Sequence, residues 1–109
     1  MSAADIIATY ESAWTLTRRM CDAAKDGQWD ELISLESARY ALIKYLMAED
    51  DGDSSDMACN ARKAELIRNI LDFDAITRSL SDAWMIELRQ ILSSVGTEKK
   101  LSNAYTTFE

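Results

Sequence analysis

The sequence predicts an all-α fold: an antiparallel bundle of three helices, the third very long, with a short C-terminal fourth helix packed over it. Three observations carry this. Proline is absent from all 109 residues, and only three glycines (Gly27, Gly52, Gly96) offer a break. The stretch from Asp56 to Val95 contains neither residue, and its apolar side chains recur at steps of three and four. Hydrophobic content of 48% suffices for one modest core, so residues 1–109 are expected to form a single domain.

The first helix is expected over residues 3–26. Ser2 precedes it with Asp5 three positions on, a capping-box-like start. Ile6, Tyr10, Ala13, Thr17, Met20 and Ala24 step along one face, flanked by Ile7, Trp14 and Cys21. Gly27 is the expected stop, with Lys25 near the negative end of the helix dipole.

The second helix, expected over 29–48, opens with Gln28-Trp29-Asp30-Glu31, which puts two acids in the first turn. The connection is so short that the first two helices should be antiparallel neighbours. The stripe reads Trp29, Leu32, Ile33, Glu36, Tyr40, Ile43, Leu46 and Met47, interrupted by Glu36. That carboxylate is either a flanking group reaching water or Arg39, or a buried anchor paired with Arg18, Arg62 or Arg68.

Glu49 to Ser55 forms a polar loop, after which the third helix is expected over 56–95. Its seam is Leu66, Ile70, Phe73, Thr77, Leu80, Trp84, Leu88, Ile91 and Val95. A helix this long overhangs its neighbours, and a homodimer along the seam is one use of the excess. Gly96 is expected to end it and Thr97 to open a fourth helix over 98–108, with Leu101, Ala104, Tyr105 and Phe108 on one face. About a dozen residues is too short to be stable alone, so the fourth helix must dock or fray.

Composition excludes several chemistries. Net charge is −7, which repels phosphate and anionic lipid, so neither nucleic acid nor a membrane surface is an expected partner. Without histidine, Ser-His-Asp and Cys-His catalysis are unavailable, as are the Glu-x-x-His ligands of a di-iron bundle. Reading a calcium loop from Asp51 puts Asp56 where glycine belongs and Arg62 where glutamate belongs, so a solvated turn is expected there. No metal, cofactor or enzyme activity is expected. Cys21 and Cys59 stand alone in helical patterns and read as small apolar positions, in keeping with a reducing cytoplasm.

Two motifs carry a resemblance. Gly27-Gln28-Trp29-Asp30, followed by Leu32 and Glu36, resembles the Gly-x-Trp-Asp-x-x-Leu turn of the FliT family. Leu101-Ser102-Asn103-Ala104-Tyr105 is similar to that family's Leu-x-Asn-Ala-Tyr signature, and the spacing between the two agrees along nearly the whole chain. The loop departs from it, being rich in Asp and Ser where relatives can carry proline.

The resemblance implies a cytoplasmic export chaperone for the flagellar filament-cap protein, with the fourth helix folded over the cargo groove as an inhibitory cover. By similarity, Ile67, Leu71, Asp74 and Arg78 on the exposed side of the third helix would contact the cap protein's C-terminal segment. The cover would be formed by Leu101, Ala104, Tyr105 and Phe108, and Tyr105 would dock to the membrane export gate. Further partners implied are the export ATPase complex and, in some lineages, the flagellar master transcription regulator. A transcriptional antagonist is therefore the alternative within the family, and a structural homodimer the alternative outside it. The energetics suit a releasable cover, because burying each large side chain gains about 1.5–3 kcal/mol against roughly 1–2 kcal/mol of backbone ordering per residue.

Overall fold

The computed structural model describes residues 2–50 and 57–102, with side chains as far as Ser94. Three α-helices account for nearly all of these residues: α1 (Ala3–Lys25), α2 (Trp29–Glu49) and α3 (Met57–Ser102). Among the described residues there is no strand.

Each end of α1 is closed by the groups the sequence supplies. The Asp5 N–H donates to Ser2 Oγ at 3.2 Å, satisfying one of the amides that a helix start leaves open. At the other end Gly27 adopts φ +71°, a left-handed conformation that side chains with a Cβ enter at a cost. There the Gln28 N–H donates to the Ala23 carbonyl at 2.8 Å and the Gly27 N–H to Ala24 at 3.2 Å, the paired bonds of a Schellman stop. The chain reverses at once, and Trp29 begins α2.

The chain divides into two compact units, Met1–Arg78 and Ser79–Glu109. Within the first, cross-helix pairs give the helix directions. Tyr10 meets Asp50 and Thr17 meets Arg39, so α1 and α2 run antiparallel. Glu11 meets Arg62 and Trp14 meets Phe73, so α1 and the first part of α3 run parallel. Asp50 with Lys63 and Arg39 with Asp74 set α2 antiparallel to α3. These pairs make an up-down-up bundle of the first unit.

The α1 face agrees with the sequence reading: Ile6, Ala13, Thr17, Met20, Cys21 and Ala24 are buried. Cys21 is fully enclosed and, like Cys59, takes part in no disulfide among the described residues. Met20, Ala23 and Leu35 form the centre of the core, with Leu16 and Leu32 packed against it. On α3, Lys63, Leu66 and Thr77 are buried, and Ile70, Phe73, Leu80 and Trp84 are half-buried along the expected seam. Further along α3, Leu88 and Ile91 are exposed.

Two expectations are corrected. The inward face of α2 is Leu32, Leu35, Arg39, Leu42 and Leu46, a stripe rotated from the one read in sequence; Ile33, Tyr40 and Met47 are exposed. Glu36 lies outside with them, so the polar residue carried into the bundle is Arg39. The second correction concerns Gly96. Helix α3 continues through it to Ser102 instead of turning there into a separate helix over 98–108. A helical glycine costs only about 1 kcal/mol relative to alanine, and Glu98, Lys99, Lys100 and Leu101 are good helix formers, so propagation outweighs the local penalty. Ala104, Tyr105 and Phe108 lie outside the described residues.

Two stability measurements check this fold. Gly96→Ala should raise the urea midpoint, gaining up to about 1 kcal/mol, whereas a left-handed turn at this residue would make the same change destabilising. Leu66, fully buried on α3, should lose about 2–5 kcal/mol on Leu66→Ala in the same assay.

Candidate functional site

Between the three helices of the first unit lies an apolar groove of about 340 Å³. Ala13 forms its floor on α1, Ile43, Leu46 and Met47 line it from α2, and Ile67, Ile70 and Leu71 from α3. The register of α3 explains the opening. Leu66 and Ile70 turn inward, while Ile67 and Leu71, one position further round, reach the lip with 37% and 62% of their surfaces exposed. Met47 on the opposite lip is 79% exposed and brings a flexible, adaptable side chain.

Polar groups enter this apolar surround at two places. At one, Tyr10 and Asp50 both line the groove, and the Tyr10 hydroxyl donates to Asp50 Oδ2 at 2.7 Å. Lys63 Nζ donates to Asp50 Oδ1 at 2.9 Å, so the carboxylate is shared between α1 and α3. Asp50 is the C-cap of α2, where the helix dipole disfavours an anion, and the buried lysine offsets that cost. Burial first, then the hydrogen bond to Asp50 and the negative charge of that carboxylate, push the Tyr10 phenol up to about 12.

At the other place, Arg39 lines the groove and its Nη1 donates to Thr17 Oγ1 at 3.0 Å and to Asp74 Oδ1 at 2.7 Å. Thr17 is fully buried and its own hydroxyl donates to the Ala13 carbonyl at 2.8 Å. One guanidinium therefore joins all three helices. By contrast, Arg62 bridges Glu11 and Glu65 at the surface, where such pairs contribute little to stability.

Of the residues expected to meet a partner, Ile67 and Leu71 come together on the groove lip. Asp74 does not lie free on the exposed side of α3 as the resemblance implied: its side chain is 24% exposed and held by Arg39. Arg78 is exposed, one turn further along the helix from Asp74. Sequence reading missed Arg39, Tyr10, Asp50 and Lys63 as groove or knot residues. Arg39 did leave a signal, as a single charge at helical spacing within Leu32, Leu35, Leu42 and Leu46. Among the described residues, no three or more His, Cys, Asp or Glu side chains gather as metal ligands would.

Comparison with known proteins agrees with the two sequence motifs. The family model described as Flagellar protein FliT matches residues 7–107. The chain belongs to the FliT family. It is similar to a flagellar protein FliT of Cronobacter sakazakii, 28% identical over 96 residues that span 88% of this chain and 79% of the relative. A FliT of Citrobacter koseri is 27% identical over the same shares, and that of Photorhabdus laumondii is 19% identical across 95% of this chain and 83% of the relative. No solved structure matches the chain significantly. In this FliT-family chain the Gly-Gln-Trp-Asp motif is the α1–α2 turn itself, while the second motif begins at the last two residues of α3, Leu101 and Ser102. Among its described residues, no helix is long and apolar enough to cross a membrane.

The raised Tyr10 phenol makes a signed prediction. A group kept neutral by the fold contributes stability that is present below its unfolded value near 10 and is lost as the pH rises through about 12. Urea midpoints followed from pH 9 to 12 should therefore fall less steeply in Tyr10→Phe than in the parent chain.

Proposed function

We propose that this chain is a cytoplasmic flagellar export chaperone that holds the C-terminal segment of the filament-cap protein, prevents its premature assembly and delivers it to the export apparatus. The observation that carries the reading is the apolar groove with Ile67, Leu71 and Met47 exposed on its lips. Membership of a flagellar family supplies the setting. Large apolar side chains exposed at an open groove favour an amphipathic helix that inserts its own apolar residues. Each such side chain that becomes fully buried adds about 1.5–3 kcal/mol, enough for a few anchors to set a useful affinity.

In this reading Ile67 and Leu71 are apolar anchors and Arg78 contacts the polar flank of the cargo. The segment carrying Leu101, Ala104, Tyr105 and Phe108 acts as a cover, and Tyr105 docks to the export gate once cargo is loaded. Gly96 gives such a cover a place to bend, because glycine lowers the cost of leaving the helix by about 1 kcal/mol. A cover held this weakly yields to a partner with modest differential affinity.

Titration calorimetry with the filament-cap C-terminal segment tests the proposal. The full chain should bind, Leu71→Asp should weaken binding more than about tenfold, and a form ending at Gly96 should bind more tightly than the full chain. Equal binding by the shortened form would remove the cover while leaving the chaperone. Absence of binding by both the full and shortened forms would overturn the assignment.

A further inference from the structure

The Arg39 guanidinium is held by one nitrogen. Both of its hydrogen bonds, to Thr17 and to Asp74, leave from Nη1, and among the described residues nothing meets Nε or Nη2. A guanidinium offers five N–H donors, and one facing a carboxylate ordinarily does so in a two-pronged fork. Here the fork is incomplete. The side chain is only 13% exposed, and Arg39 is among the residues lining the groove. Donors withdrawn from bulk water without a partner are costly to leave unmet. Of the other residues lining the groove, only Tyr10 and Asp50 carry side-chain oxygens, and these are bonded to each other.

We infer that Arg39 is a specificity-determining residue of the groove, presenting its open N–H donors to an acceptor oxygen on an otherwise apolar helical peptide. This rests on the groove being the cargo site. The Arg39–Asp74 pair is already charge-neutral, so the oxygen need not bring a full charge. The orphan carbonyls at the C-terminal end of a bound helix, which carry partial negative charge and need donors, fit this chemistry. Asp74 then acts as a positioning residue. With Thr17 it occupies both Nη1 hydrogens and so orients the remaining edge of the guanidinium, affecting cargo through Arg39 and without touching it. At the opposite end of the groove Asp50 is occupied by Tyr10 and Lys63 and is a poor candidate to receive the peptide instead.

The test replaces the polar crossing by apolar residues of similar size in the full chain, as Arg39→Met together with Asp74→Leu. Such exchanges of a buried ion pair are often neutral or stabilising, so the variant should fold with an unchanged or higher melting temperature. Binding of the filament-cap C-terminal segment, measured by calorimetry, should nevertheless weaken about tenfold or more. Arg39→Lys, which keeps the charge but not the planar set of donors, should also weaken binding. Binding by the double variant equal to or tighter than the parent would overturn the role of Arg39. A loss of melting temperature together with a loss of binding that Arg39→Lys does not share would assign the crossing a structural role only, and also overturn it. Failure of the parent chain itself to bind would overturn the groove assignment instead, so the two ideas fail separately.

Discussion

A guanidinium carried into a helical bundle has to be met by groups placed on every helix it passes, and Arg39 is met by Thr17 on α1 and Asp74 on α3. Removing either partner would leave a buried polar group unsatisfied, which costs more than the bond itself contributes. The crossing therefore constrains register. If α2 slid by one turn, Arg39 would face Ile70 in one direction or Thr77 in the other rather than a carboxylate, and the apolar stripe of Leu32, Leu35, Leu42 and Leu46 would move with it. Leucine stripes tolerate several registers, whereas a charge inside one of them tolerates very few.

The second polar knot, Tyr10 with Asp50 and Lys63, does similar work at the far end of the groove. It joins the same three helices where α2 ends. Between the two knots the walls of the groove are almost wholly apolar. Residues near each knot are drawn together by short hydrogen bonds, while Ile67, Leu71 and Met47 between them stay at the surface. An acidic chain of net charge −7 thus presents a locally neutral, apolar site. Such a surface suits a helical protein segment far better than an anionic polymer.

The position of Asp74 changes how the α3 surface reads. A resemblance placed Ile67, Leu71, Asp74 and Arg78 together on one exposed side, and their spacing of four, three and four is that of a helical face. In three dimensions this face curves into the bundle at Asp74 and out again at Arg78. A residue can matter for binding from such a position by orienting a neighbour. That distinction comes from the partner across the helix interface, which a list of positions along α3 does not contain.

Much of the architecture was legible in the chain. The lack of proline, the cap at Ser2, the left-handed stop at Gly27 and the α1 stripe are local matters, decided by backbone sterics and a period of 3.6 residues within one segment. Two things, the inward face of α2 and the groove, were decided only by tertiary structure, and a third, the fate of Gly96, by the balance along α3 as a whole. Helix α2 is apolar on two sides, with Leu32, Leu35, Leu42 and Leu46 on one and Ile33, Tyr40, Ile43 and Met47 on the other, so periodicity alone could not say which faces inward. Packing against α1 and α3 selected the side whose one charge had partners waiting, and put Glu36 outside. The fate of Gly96 depended on whether helix propagation on both sides outweighed one unfavourable residue, a sum over many positions that a single stop signal does not report. The groove belongs to no single helix. It exists where three surfaces fail to close, and its residues, from Tyr10 to Leu71, become neighbours only when the polar crossings lock the helices in register.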